Sequence, residues 1–367
     1  MHVTSRRSQS AKNPRRDSGR IPENPPWRQL LLLLLLTLAP LAVAQEAAPL
    51  QREEFSQAWQ AAARGDRAQF EQIMPGLQGY LLYPYLRYED LRHRRARIDV
   101  DEMAAFLDQH RAWAFTAGLE TAWLRTLGKQ RNWAALLAHG AGSKDTEVRC
   151  YRAEAKINLQ QTDSLLPEAQ RLWAVGKSQP DACDPVFKWL QTQGGITPGL
   201  AWERIRLAME GRQPRLALYL KRFASAEDQA WVDHWYQQDR SGYRRLDKAA
   251  SWGDNPRSQD IVLYGIKRLA RSDPDRAWQV QEKLASVFQW PADASGSILR
   301  EIALWSAVDG AADTPQRMQI VPTGERDDKL LEWWVRHDLS RGAWGEIVTT
   351  IAAMSPELRD DSRWRYW

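Results

Sequence analysis

Gly211-Arg212-Gln213-Pro214-Arg215-Leu216-Ala217 is a junction between two helices, and the same design recurs along the chain. It returns in Arg64-Gly65-Asp66-Arg67-Ala68 and in Gly128-Lys129-Gln130-Arg131-Asn132-Trp133-Ala134. Two more copies are Arg271-Ser272-Asp273-Pro274-Asp275-Arg276-Ala277 and Arg341-Gly342-Ala343-Trp344-Gly345-Glu346. In each, a Gly or a capping residue closes one helix, polar residues turn the chain, and a small or apolar residue opens the next. Gly suits the left-handed position after a helix, and Pro214 and Pro274 suit the first turn of a new one. Repeated helix-turn-helix joints describe stacked helical hairpins, an α-solenoid. Their spacing is loose, with no strict tetratricopeptide period.

The segments between the joints agree. Phe55, Trp59, Ala62 and Ala63 recur at the spacing of one helical face, as do Met103, Phe106 and Leu107. Val232, Trp235 and Tyr236 form a further stripe, and so do Leu330, Trp333 and Trp334. Alternating β-branched runs, which strands need, are almost absent. The fold class is therefore all-α. Trp occurs 19 times; Trp113, Trp123, Trp133, Trp173, Trp202, Trp278 and Trp305 fall in helical patterns where a large ring fills a groove between helices. A minority on one exposed face would suffice to contact carbohydrate.

Residues 1–44 read as a leader. Leu30 to Leu36 is an unbroken leucine run extended to Val43, preceded by a basic segment and ended by Ala42-Val43-Ala44. The apolar core is short for a membrane span and suited to a signal peptide cleaved after Ala44. The alternative is an uncleaved N-terminal anchor. An exported chain running from residue 45 to 367, with no stable membrane insertion after cleavage, is the expectation. The leader also holds the whole net charge of +5, with seven basic and two acidic residues, so the remainder is neutral and gives no support to a nucleic-acid partner. A mean hydropathy of −0.59 excludes a multi-spanning membrane protein.

Export changes the meaning of the two cysteines. In an oxidising compartment, Cys150 and Cys183 are read first as a disulfide, the alternative being two buried free thiols. Neither has the neighbours of a nucleophile. Catalytic signatures are otherwise missing. His93, His110, His139, His234 and His337 are scattered, without metal-ligand spacing, and no glycine-rich phosphate loop or serine elbow occurs. No metal and no cofactor are expected. Asp327-Asp328 and Asp360-Asp361 read as solvated faces. Arg92, Arg94, Arg95 and Arg97 form a basic cluster offset by Glu89, Asp90, Asp99, Asp101 and Glu102.

Several motifs together resemble the N-terminal helical domain of the soluble lytic murein transglycosylases. Met74-Pro75-Gly76-Leu77, Tyr80 and Leu82-Tyr83-Pro84-Tyr85-Leu86 with Tyr88 are similar to that family's opening hairpin. The most specific match is Leu172-Trp173 together with Gly176-Lys177-Ser178-Gln179-Pro180-Asp181-Ala182-Cys183-Asp184. Glu203-Arg204-Ile205-Arg206-Leu207-Ala208-Met209 and Trp364-Arg365-Tyr366-Trp367 complete the set. The resemblance implies a ring-like superhelix of α-hairpins, with Cys150 and Cys183 corresponding to the family's disulfide. It implies a periplasmic location and peptidoglycan glycan strands as partner.

In such enzymes a separate lysozyme-like domain on the same chain cuts the MurNAc–GlcNAc bond and leaves a 1,6-anhydro end. Its acid/base Glu lies in a Glu-Ser motif, and an Ala-Tyr-Asn-Ala-Gly segment comes later. This sequence contains neither a Glu-Ser pair nor Ala-Tyr-Asn. With a single essential carboxylate in that mechanism, no catalysis is expected of this chain alone, and it carries no catalytic residue of its own. The other reading is a non-enzymatic periplasmic helical-repeat scaffold. Ser355-Pro356-Glu357 opens a last helix bearing Leu358, Trp364, Tyr366 and Trp367. A solenoid ending on exposed aromatics reads as unfinished, so the domain is expected to be incomplete at its C-terminus.

Overall fold

The computed structural model describes residues 50–366. The leader and cleavage site expected over residues 1–44 lie outside the described residues, and so does Trp367. Every regular element among the described residues is an α-helix or a short 3-10 helix, and none is a strand. The all-α class is borne out. No described helix is long and apolar enough to cross a membrane. The chain divides into two compact units at Glu120/Thr121.

The first unit contains α1 (50–64), α2 (Arg67–Ile73), α3 (Tyr83–Arg94) and α4 (Val100–Gln109), and ends within α5 (Thr116–Lys129). Gly65 takes the left-handed conformation, with φ of 72°, that closes α1, and the Asp66 carboxylate accepts from the Gln69 amide at the start of α2. A β-carbon at Gly65 would also lie 2.4 Å from the His93 ring, so that joint needs glycine twice over. Ala58, Ala61 and Ala62 bury with Phe70, Leu77 and Leu86, while Phe55, Trp59 and Tyr80 pack over them. Ala63, expected on this face, is exposed because the buried stripe passes through positions 58, 61 and 62. In α4, Asp99 caps the helix and Met103, Phe106 and Leu107 are buried as their spacing implies.

The second unit continues through α6 (Trp133–His139), α7 (Thr146–Asn158), α8 (Leu165–Trp173), α9 (Asp184–Thr192), α10 (Pro198–Glu210) and α11 (Pro214–Leu220). It then runs through α12 (Ala226–Arg240), α13 (Pro256–Ala270), α14 (Pro274–Ala285), α15 (Ala292–Asp309), α16 (Thr314–Gln319), α17 (Asp328–Arg341) and α18 (Trp344–Ala352). Successive helices pair, α10 on α11, α13 on α14 and α17 on α18. Alternate helices also stack, α13 on α15 and α15 on α17, which is the contact pattern of a solenoid.

Two joints differ from the expected glycine role. Gly128 and Gly211 are not left-handed; Arg131 and Arg212, each with φ of 58°, turn the chain instead. Closeness requires glycine at Gly128 and leaves a tight fit at Gly211. A β-carbon at Gly128 would lie 2.3 Å from the Tyr151 ring, and one at Gly211 would lie 3.1 Å from the Leu207 carbonyl.

The last segment is corrected as well. Ser355 caps as expected, accepting from the Leu358 amide, but the single helix expected after it is instead two short ones, α19 (Pro356–Arg359) and α20 (Ser362–Arg365). Asp361 restarts the second by capping it. The break turns Trp364 inward onto Leu331, Val335, Ile347 and Met354, so among the described residues the expected row of exposed aromatics reduces to Tyr366, 81% exposed.

Candidate functional site

The loop from Gly176 to Cys183, the most specific of the family-like motifs, is anchored at three points. A β-carbon at Gly176 would lie 2.2 Å from the Leu207 carbonyl oxygen, so the loop rests directly on the backbone of α10. The Gln179 amide donates to the Leu172 carbonyl at 2.7 Å, satisfying one of the open carbonyls at the end of α8. Cys183, in a 3-10 turn over Asp181–Cys183, is bonded to Cys150 of α7, with Cα atoms 4.8 Å apart. The disulfide expected from the sequence is thus present.

These anchors shape a cleft of about 670 Å³ walled by α8, α9, α10 and α11. Trp173 closes the end of α8, and Phe187 comes from α9, whose Val186 and Leu190 are buried. Arg204 projects from the buried face of α10, between Ala201 and Ala208 on the same stripe. Tyr219 and Arg222 come from the end of α11 and the turn after it, the Arg222 guanidinium lying 4.0 Å from the Tyr219 ring centre and 4.8 Å from that of Phe223.

Arg204 is 5% exposed, with its guanidinium 4.6 Å from the Trp173 ring centre and 5.7 Å from that of Phe187. Burial holds its pKa down to about 10. Lys188, Arg215 and Arg222 add positive charge around the opening, against Asp181 and Asp184 at the surface. Among the described residues lining the cleft, both carboxylates are exposed. The arrangement is therefore suited to holding a ligand, with no buried acid to deliver a proton.

A smaller cleft of about 350 Å³ opens on another side of α10, where Arg206, Arg212, Lys267, Arg268 and Arg271 outnumber Glu210 and Asp260. Asp260 accepts from the Trp202 indole at 2.6 Å, and burial raises its carboxyl above the ordinary range.

The other candidates named from the sequence do not converge. Among the described residues, no three His, Cys, Asp or Glu side chains are placed to share a metal. His110 packs on Phe106 and Trp113, His139 on Trp123, and His234 on Trp252. Asp327 caps α17 and pairs with Arg300 at 2.6 Å, and Asp328 accepts from Ser355. In the arginine cluster, Arg92 donates to Glu89 at 2.9 Å and Arg94 to Asp90 at 2.6 and 2.7 Å, while Arg95 and Arg97 stay exposed. Trp123, Trp173 and Trp202 are buried, while Trp113, Trp133, Trp278 and Trp305 are half-buried. Arg204 and Gln179 stood in the family-like motifs without a role. The signal was an arginine flanked by Trp202 and Ile205 in an otherwise apolar helical stripe.

No family model matches the chain. It is 28% identical over 351 residues to the soluble lytic murein transglycosylase of Escherichia coli strain K12, covering 93% of this chain and 53% of that protein. The enzyme of the same name from Salmonella typhimurium is 27% identical over the same shares. Among solved structures, an inactive mutant of the lytic transglycosylase Slt from Pseudomonas aeruginosa matches with a TM-score of 0.66 and 29% identity, over 86% of this chain and 51% of that one. The 70-kDa soluble lytic transglycosylase of Escherichia coli matches with a TM-score of 0.67 and 26% identity, over 87% and 52%. The chain spans about half the length of the curated relatives it matches. In sequence across nearly its whole length, and in fold across most of it, this chain is similar to the soluble lytic murein transglycosylases.

Proposed function

We propose that the chain works in peptidoglycan turnover as a helical platform that holds glycan strands, and that it does so in the periplasm after cleavage behind Ala44. The observation that carries this reading is the match to murein transglycosylases over 93% of the chain. The cystine between Cys150 and Cys183 supports an oxidising compartment. Cutting of the MurNAc–GlcNAc bond to a 1,6-anhydro end is assigned to a lysozyme-like catalytic domain, the platform's partner. The described residues bring no acid motif of that kind, and the platform positions substrate for it.

The test is incubation of this polypeptide with purified peptidoglycan sacculi. Co-sedimentation without release of anhydro-muropeptides is the expected result. Anhydro-muropeptides above a no-protein control would overturn the non-catalytic assignment. Failure to co-sediment would overturn glycan binding and leave the scaffold reading, in which a protein partner takes the place of glycan.

A further inference from the structure

Buried charges in this protein are paired, with few departures. Asp228 receives both ends of the Arg257 fork, at 2.6 and 2.9 Å. Arg317 is held by Asp275, Asp313 and the Ser306 hydroxyl. Glu89 and Asp90 have their arginines. The buried carboxylate Asp338 has no hydrogen-bond partner among the described residues, and it can become neutral by taking up a proton. Arg204 has no such escape: a guanidinium keeps its charge at neutral pH.

The Arg204 guanidinium makes no hydrogen bond or ion pair among the described residues, and its Nε is buried without an acceptor. Aromatic rings lie against it, and they satisfy none of its N–H donors in the way an oxygen would. Along the same wall, the Gln179 Oε1 is a buried acceptor with no donor. Both residues line the same cleft, which brings one unpartnered donor group and one unpartnered acceptor to its wall. Leaving a charge and an amide oxygen unpaired costs stability, and such groups mark places where a ligand completes the pairing.

We propose that this cleft binds the carboxylate end of a short peptide, the carboxylate on Arg204 and a peptide N–H on Gln179 Oε1. A planar carboxylate matches the guanidinium fork. The aromatic walls of Trp173 and Phe187 accept the small side chains of a peptide terminus, and Arg222 at the rim adds long-range attraction. The surface acids Asp181 and Asp184 disfavour a doubly charged phosphate and suit an ammonium group carried further along the peptide. The site is inferred from the cleft alone and does not depend on glycan binding.

The test uses the full chain and calorimetric titration at low salt with two probes, N-acetyl-Lys-D-Ala-D-Ala and its all-L counterpart, each as free acid and as C-terminal amide. Free acids are expected to bind at least tenfold more tightly than the amides. Preference for the D-terminal probe identifies a cell-wall stem peptide as the source, and preference for the all-L probe identifies a protein C-terminus. Arg204→Met is expected to abolish the difference between acid and amide while leaving the melting temperature unchanged or raised, because it removes an unpaired buried charge. Arg222→Ser, at an exposed position, is expected to weaken binding several-fold with an unchanged melt. Equal binding of acid and amide, no measurable binding of either acid, or inorganic phosphate binding as tightly as the acids would each overturn the proposal. So would a destabilised Arg204→Met variant, since that outcome makes the arginine a structural group.

Discussion

At the scale of single residues, the clearest consequences concern groups whose surroundings leave no alternative. Asp338 is fully buried, and burial first, then Glu346, push its carboxyl up to about 6 against the pull of Arg341. The unfolded chain gives up this proton at an ordinary carboxylate pKa, so between about pH 4 and 6 the folded form binds more protons. Stability therefore falls as pH rises through that window. Asp338→Asn is expected to stabilise the protein by about 1–3 kcal/mol at pH 7 and by nothing near pH 4, read from urea midpoints at both. The difference between variant and parent separates this carboxylate from the neighbouring His337, whose imidazole is held below its ordinary pKa by burial and by Arg341. Gly176 gives the opposite kind of test. Gly176→Ala drives a methyl into the α10 backbone at Leu207, where nothing flexible can yield, and about 2–3 kcal/mol of stability should be lost. A midpoint within experimental error of the parent would show that the loop does not rest on α10.

At the scale of elements, paired helices are joined by more than apolar contact. Asp228 in the first turn of α12 and Arg257 in the first turn of α13 form a two-bond ion pair, and the same guanidinium lies 4.4 Å from the Trp202 ring centre on α10. Three helices thus meet at one arginine. Arg257→Met should cost about 3–5 kcal/mol because it strands the buried Asp228 carboxylate. Adding Asp228→Leu should recover much of that loss, since a well-packed apolar pair removes the stranded charge. A double variant as unstable as the single one would mean that the stacking on Trp202 outweighs the ion pair. The caps belong to this scale too. Asn255 and Ser258 bond reciprocally at the start of α13, and Asp273 caps α14 just before Pro274.

At the scale of the molecule, a stack of hairpins in which each helix touches near neighbours has few long-range constraints. The disulfide is one of them. It closes a sequence separation of 33 residues and joins α7 to the turn before α9. Replacing both Cys150 and Cys183 by Ala is expected to lower stability by about 3–4 kcal/mol on the chain-entropy argument, measured by urea denaturation without reductant. The same variant should weaken peptide binding at the cleft, because Asp181 and Asp184 flank Cys183. A variant that melts with the parent would show that helix packing alone holds the loop in place.

Helices and the positions of their joints were readable from order alone, since periodicity and capping are local: Ser355 satisfies an amide three residues on, as do Asp66 and Asp273 at two of the joints, whereas Asp99, read as a surface acid, proved to be a cap. The cystine was readable too, because two cysteines in a chain expected to be exported leave one pairing. What local order did not carry was the identity of the surface that covers each face. Glu203-Arg204-Ile205-Arg206 looks like alternating surface charge, yet α8 and α9 fold over Arg204 while Arg206 stays on the other side of the helix. Arg131 and Arg212 turn the chain where glycine was expected, while Gly128 lies against the Tyr151 ring of α7 and Gly211 lies close to the Leu207 carbonyl of its own helix and to the Gly176 loop. Trp364 is buried because α17 and α18 offer it a pocket. A helical stripe specifies which residues share a side. Burial, and with it the charge left unpaired in the cleft, depends on partners brought from elsewhere in the chain.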